Sequence, residues 1–275
     1  MLNSAIMHAR SPLRTIVAAL SGLLFLAHAT PGAATEPRVT HLEPASPGRI
    51  LFVGNSYLYY NDSLHNHVRR MVIAAGLHAA KDVQFKSVTI SGGALFDHDI
   101  RHYLKPGQLR VKNGFQIVVL QGASAAPFSE GRRKKFLETV KSFATDIKAA
   151  GAQTALYMTH AYAKPHAKAR AGLIDPIASM YVEAGNTVGA LVIPVGLAFD
   201  EAYRQRPGIK LHQSFDGSHP SLDGTYLAAC VVFTSLYGTP SSGNPYDYFG
   251  RIDKDTARFL QNVADKTVAR FFKRK

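Results

Sequence analysis

The chain has 275 residues, 46% hydrophobic and 19% charged, a balance that supplies one sizeable core and excludes a disordered or fibrous class. Its formal net charge is +13 at pH 7, scattered along the chain apart from "RRKK" at 132–135 and "KRK" at the C-terminus. No aromatic-basic pattern accompanies that charge, so nucleic acid is not an expected partner; solvated helix faces explain most of it, and polyanions such as acidic polysaccharide could meet it.

The N-terminus departs from the rest. "MLNSAIMHARSPLR" carries Arg10 and Arg14 without an acid, "TIVAALSGLLFLAHA" is an apolar run of signal-peptide length, and small residues follow at Ala27, Ala29, Ala33 and Ala34. Residues 1–34 read as a signal peptide cleaved near Ala29 or Ala34, which implies a secreted or periplasmic product. The run is shorter than a spanning helix needs, and later apolar runs are interrupted by charges or glycines, so no stable membrane span is expected after cleavage. Residues 35–47 read as a flexible lead-in and residues 48–275 as one domain. The single cysteine, Cys230, allows no intramolecular disulfide and reads as a buried small hydrophobe in "YLAACVVFTSLYG".

From residue 49 onward the chain alternates. "RILFVG" (49–54), "VQFKSVTI" (83–90), "FQIVVLQG" (115–122), "QTALYMTH" (153–160) and "ALVIPVG" (190–196) are short aliphatic runs that suit buried parallel strands. Helical patterns lie between them. Asn61 and Asp62 are the expected cap for Leu64, Val68, Met71, Val72 and Ala75, and Gly76 ends that run. A second helix starts at Arg132 with Phe136, Val140, Phe143 and Ile147 on one face, and "ALFDHDIRHYL" reads as another after the second strand. A final helix from Asp253, with Phe259, Leu260, Val263, Val268 and Phe271, reads as a docking helix. The alternation predicts an α/β fold with a five-stranded, mostly parallel sheet covered by helices on both faces.

In such folds the reactive groups sit at the carboxyl ends of the strands. The first strand ends in "GNSY", which presents Ser56 there; Leu58 in place of a glycine separates this segment from the G-x-S-x-G elbow of α/β-hydrolases. The second ends in "SGG", where Gly92 and Gly93 offer backbone N–H groups of the kind an oxyanion needs. Near the C-terminus "FDGSHPSLDGTYLAAC" places Asp216 three residues before His219. A serine needs a base whose pKa lies near working pH, and that base needs a group to hold its tautomer, so Ser56, His219 and Asp216 form a candidate triad.

"VGNSY", "SGG", "VVLQGAS" and "DGSHPSLDGTYLAA" resemble, in this order, the blocks of the SGNH hydrolase (GDSL-like esterase/lipase) superfamily over roughly residues 48–240. The resemblance implies a flavodoxin-like three-layer α/β/α sandwich that hydrolyses esters without a metal or other cofactor. It implies that Ser56 is the nucleophile and, through its N–H, the first oxyanion donor. Gly92 is then the second donor with Gly93 as alternate, His219 the general base and Asp216 its orienting partner. The third block departs from the superfamily's Gly-x-Asn. Here "LQGASAAP" has no asparagine, and Gln121, or alternatively Ser124, is the expected substitute donor.

Tyr57, Tyr60 and Tyr162 are candidate substrate-binding aromatics. The 12 histidines include His65 with His67 and His98 with His102, but no metal-binding spacing supports them, and no metal site is expected. The expected activity is hydrolysis of short acyl or acetyl esters, on a small molecule, a carbohydrate or a cell-envelope polymer. Acyl transfer to a sugar hydroxyl, or glycan or lipid binding without turnover, are the alternatives.

Overall fold

Each of the five aliphatic runs becomes a parallel strand in the computed structural model, which describes residues 1–2 and 36–274. They are β1 (Arg49–Gly54), β2 (Gln84–Thr89), β3 (Ile117–Leu120), β4 (Gln153–Tyr157) and β5 (Leu191–Ile193), in the order β2-β1-β3-β4-β5. All four pairings are parallel; Val53 faces Val88 on one side and Leu120 on the other. The chain leaves β1 for β2 in one direction and returns past β1 to β3, so the crevice of the sheet opens above the ends of β1 and β3.

Successive residues of β1 feed opposite cores. Ile50 and Phe52 pack with the buried residues of α2 (Leu64–Ala74), α6 (Val195–Gln205), α7 (Leu222–Tyr237) and α8 (Lys254–Phe272). Leu51 and Val53 pack with those of α3 (Ile100–Leu104), α4 (Glu130–Ala149) and α5 (Ile174–Val188). This is the expected three-layer sandwich. In α4 the buried stripe includes Phe136, Val140, Phe143 and Ile147, and in α8 Leu260, Val263 and Val268 dock on the core with Asp253 as N-cap. Cys230 is free and fully buried within α7.

Three details differ from the sequence reading. The expected helix "ALFDHDIRHYL" breaks into a 3-10 turn, Leu95–Asp97, and the short α3, because His98 between them takes an extended conformation. The N-cap of α2 is Ser63, not Asn61 or Asp62; all three have left-handed backbone, and the Asn61 amide reaches Pro220 O and Thr225 Oγ1 instead. Residues 36–47, expected as a flexible lead-in, are held against the domain. Leu42 is buried, Arg38 N–H donates to Asn186 Oδ1, and Pro47 O accepts from the Tyr237 hydroxyl. Apart from Met1 and Leu2, the expected signal peptide falls on residues outside the described ones. Among the described residues no helix is long and apolar enough to cross a membrane.

Candidate active site

The turn that carries Ser56 is built by side-chain amides. The Gly54 Cα lies so close to Gln121 that a Cβ there would stand 2.4 Å from Gln121 Oε1. That oxygen accepts the Asn55 N–H at 2.9 Å. The Asn55 backbone is extended, a conformation that does not itself call for asparagine. Instead Asn55 Oδ1 caps α1 (Ser56–Tyr59) by accepting the Tyr57 N–H, and its Nδ2 donates to Gly93 O at 3.0 Å. One buried asparagine thus locks the Ser56 turn to the glycine loop after β2.

Above this turn Ser56 meets the loop before α7. Ser56 Oγ lies 2.8 Å from His219 Nε2, and His219 Nδ1 lies 2.5 Å from Asp216 Oδ2. Asp216 Oδ1 also accepts the N–H groups of Ser218 and His219. Burial pushes the Asp216 carboxyl up, but the bonds from the His219 imidazole and from those N–H groups outweigh it and hold the group below its ordinary value. An ionised Asp216 fixes the proton of His219 on Nδ1 and leaves Nε2 to accept from the serine hydroxyl. The three predicted residues are therefore brought together, in the relation a nucleophilic serine requires.

The loop itself is clamped from below. Gly217 has φ +63°, its carbonyl accepts the Ala163 N–H at 2.8 Å while its own N–H donates to Gln213 O, and the Ala163 carbonyl would lie 2.0 Å from a Cβ at that position. His160, three residues past β4, is buried and its Nε2 donates to Ser218 O at 2.9 Å. Its ring is stacked between Tyr57 (4.5 Å between centroids) and Phe199 (4.3 Å), and burial holds its pKa well below the ordinary value. A neutral His160 is thus part of the floor under the triad loop. Its position at the carboxyl end of a predicted strand is the signal by which the sequence could have singled it out.

The candidate oxyanion donors separate cleanly. Gly93 N–H donates to Ile90 O, whereas the N–H groups of Gly92 and Ser56 have no acceptor among the described residues, and both residues line the cleft. Gln121 does not line it: 1% exposed, it spends its Oε1 on Asn55 and its Nε2 on Gly122 O, so it is no substitute for the missing asparagine amide. Ser124 does line the cleft. Its Oγ accepts from the Tyr162 hydroxyl at 2.9 Å, which leaves the Ser124 proton free to donate.

The aromatic residues divide likewise. Tyr57 lines the cleft, with its hydroxyl 2.8 Å from Ser218 Oγ. Tyr60 lies outside it, stacked on the His219 ring at 4.4 Å, and Tyr162 stands behind Ser124. The cleft runs from Ser56 to the first turns of α4 and has a volume of about 600 Å³. The paired histidines do other work: His67 Nε2 donates to Asn61 O, and His98 Nε2 to Gly54 O. Among the described residues no group of three or more His, Cys, Asp or Glu is placed to hold a metal ion.

Solved structures share this architecture. A DUF4886 family protein from Bacteroides uniformis superposes with a TM-score of 0.58 at 20% identity, covering 82% of this chain and 95% of that one. A candidate SGNH hydrolase from Slackia heliotrinireducens gives 0.52 at 24% identity, over 68% of this chain and 97% of that one. The chain has the SGNH hydrolase fold. The acetyl xylan esterase AlAXEase shares the SGNH hydrolase fold with this chain at a TM-score of 0.53 and 15% identity, over 68% of this chain and 98% of that one. No family model and no curated protein matches the sequence.

Proposed function

We propose that the protein is an exported serine esterase of the SGNH hydrolase type that removes short acyl or acetyl groups. The observation that carries the reading is the chain of contacts from Ser56 Oγ through the His219 imidazole to Asp216. His219 Nε2 takes the Ser56 proton as Oγ attacks the ester carbonyl, and the same proton passes to the departing alcohol oxygen. The acyl-serine then yields to a water deprotonated by His219, which returns the proton to Ser56 Oγ.

The negative charge that develops on the carbonyl oxygen is received by the N–H groups of Ser56 and Gly92 and by the Ser124 hydroxyl. Tyr57 bounds the substrate space, and Tyr60 and Tyr162 act on it through His219 and Ser124. The mature chain begins near Thr30 or Thr35, and its substrate is a small-molecule or carbohydrate ester; AlAXEase, by its name, applies the same scaffold to acetylated xylan.

The test is hydrolysis of 4-nitrophenyl acetate and butyrate by the wild-type protein, Ser56→Ala and His219→Ala, with a fluorophosphonate probe located by mass spectrometry. Turnover lost by about 10⁴-fold or more in each variant, with the adduct on Ser56, is expected. A folded protein that neither turns over nor labels refutes the esterase reading. Acyl transfer is separated from hydrolysis by adding an oligosaccharide acceptor and following its acylation.

A further inference from the structure

The far end of the cleft carries a chemistry that the triad does not use. Arg132, Lys135, Phe136 and Thr139 stand at i, i+3, i+4 and i+7 on α4, and all four line the cleft. The other two basic residues of "RRKK" do not line it, and Arg133 spends its guanidinium on Pro127 O at 2.9 Å. Neither Arg132 nor Lys135 has a carboxylate within ion-pair distance among the described residues, and no Asp or Glu lines the cleft. Lys135 Nζ sits 5.4 Å from the ring centroid of Phe96, which is 53% exposed at the rim. Beyond the imidazole, the formal charges of this cleft are two cations beside an apolar wall.

We propose that the cleft selects an ester whose non-reacting part carries a fixed negative charge, a carboxylate or a sulfonate-type group, seated on Arg132 and Lys135 with its apolar body against Phe96 and Leu95. The inference rests on the esterase reading of Ser56 and names the substrate class for it. Unpaired cations along an apolar wall raise the local concentration of an anionic ligand and anchor the end of it remote from the reacting carbonyl. Screening is then a signature, because both side chains reach solvent.

The test is equilibrium binding to the full chain carrying Ser56→Ala, by titration calorimetry, of two matched ester pairs. Mono-4-nitrophenyl adipate against 4-nitrophenyl hexanoate puts the charge on the acyl side; 4-acetoxybenzenesulfonate against phenyl acetate puts it on the alcohol side. In at least one pair the charged member is expected to bind about tenfold more tightly at 50 mM salt and to lose most of that preference at 500 mM. Arg132→Gln with Lys135→Gln should abolish the preference, and Arg132→Glu with Lys135→Glu should reverse it.

Equal binding of both members in both pairs, no measurable binding of any ester, or a preference unchanged in the double variants overturns the assignment. Binding needs no turnover, so a loss of hydrolysis leaves this readout intact. Conversely, a wild-type protein that hydrolyses neutral esters and binds without regard to charge retains the esterase reading and discards the anionic substrate.

Discussion

Gln121 Oε1 accepts the Asn55 N–H at 2.9 Å, so the residue that follows β3 holds the turn on which Ser56 stands. Replacing Gln121 with Leu leaves a buried N–H without its acceptor, a loss of about 1–3 kcal/mol. The melting temperature is expected to fall, and kcat on 4-nitrophenyl acetate to fall with it as the serine turn loosens. An unchanged melting temperature contradicts this account.

Ser124 stands where the superfamily pattern has asparagine, and its hydroxyl faces the cleft. Ser124→Ala is expected to lower kcat by about 10²-fold while moving KM little, since a donor to the developing oxyanion acts mainly in the transition state. Tyr162→Phe, which removes the bond that orients Ser124, should lower kcat less and in the same direction. A change confined to KM would instead make Ser124 a ground-state contact.

Some of the residues that set the sheet and the site were open to reading in advance, and others were not. The strands were legible because a parallel strand buried on both faces is a continuous aliphatic run, as in "QIVVL", and because helix periodicity in α4 is unbroken. The meeting of Ser56 with Asp216 and His219 was legible because the last two are local and the first closely follows a strand. Gln121 was misread. Its neighbours in sequence suggest a donor facing the cleft, but its direction depends on the space left by Gly54 on the adjacent strand, which no local pattern encodes. Asn61 was misread for the same reason, since its partners lie about 160 residues away, Pro220 just before α7 and Thr225 in its first turn.

Burial depresses the His212 imidazole to about 4, despite the bond its Nε2 donates to Ala161 O. Between its ordinary pKa of about 6.5 and 4, the unfolded chain therefore binds a proton that the folded chain does not, and stability falls as pH drops through that window. The loss from this one group is of order 3 kcal/mol when complete. His65, also depressed to about 4 by burial, adds in the same sense, while the lowered Asp216 acts only below the window. Melting temperatures measured from pH 8 to pH 4.5 should decline chiefly below about 6.5, and His212→Gln should flatten part of the slope. A profile flat to pH 4.5 in the wild type would remove the basis for this prediction.

Gly217 is held at φ +63° with the Ala163 carbonyl occupying the place of a side chain. Gly217→Ala is expected to cost about 2 kcal/mol or more, because both the backbone angle and the contact must yield. Its mark is a joint loss of stability and kcat, since Asp216 and Ser218 flank the position. Retention of full activity at an unchanged melting temperature would show that the loop is free to shift away from Ala163.

Asp216 and His219 hold each other within a single turn, whereas Ser56 is separated from its base by 163 residues. The two halves of the proposed proton relay therefore differ in when they come into being. A growing polypeptide displays its serine early and carries it as an inert hydroxyl until residue 219 has emerged and the sheet between them has closed. On the proposed mechanism, covalent capture of Ser56 requires that long-range contact, and its time course after dilution from denaturant follows the closing of the sheet that brings the two together.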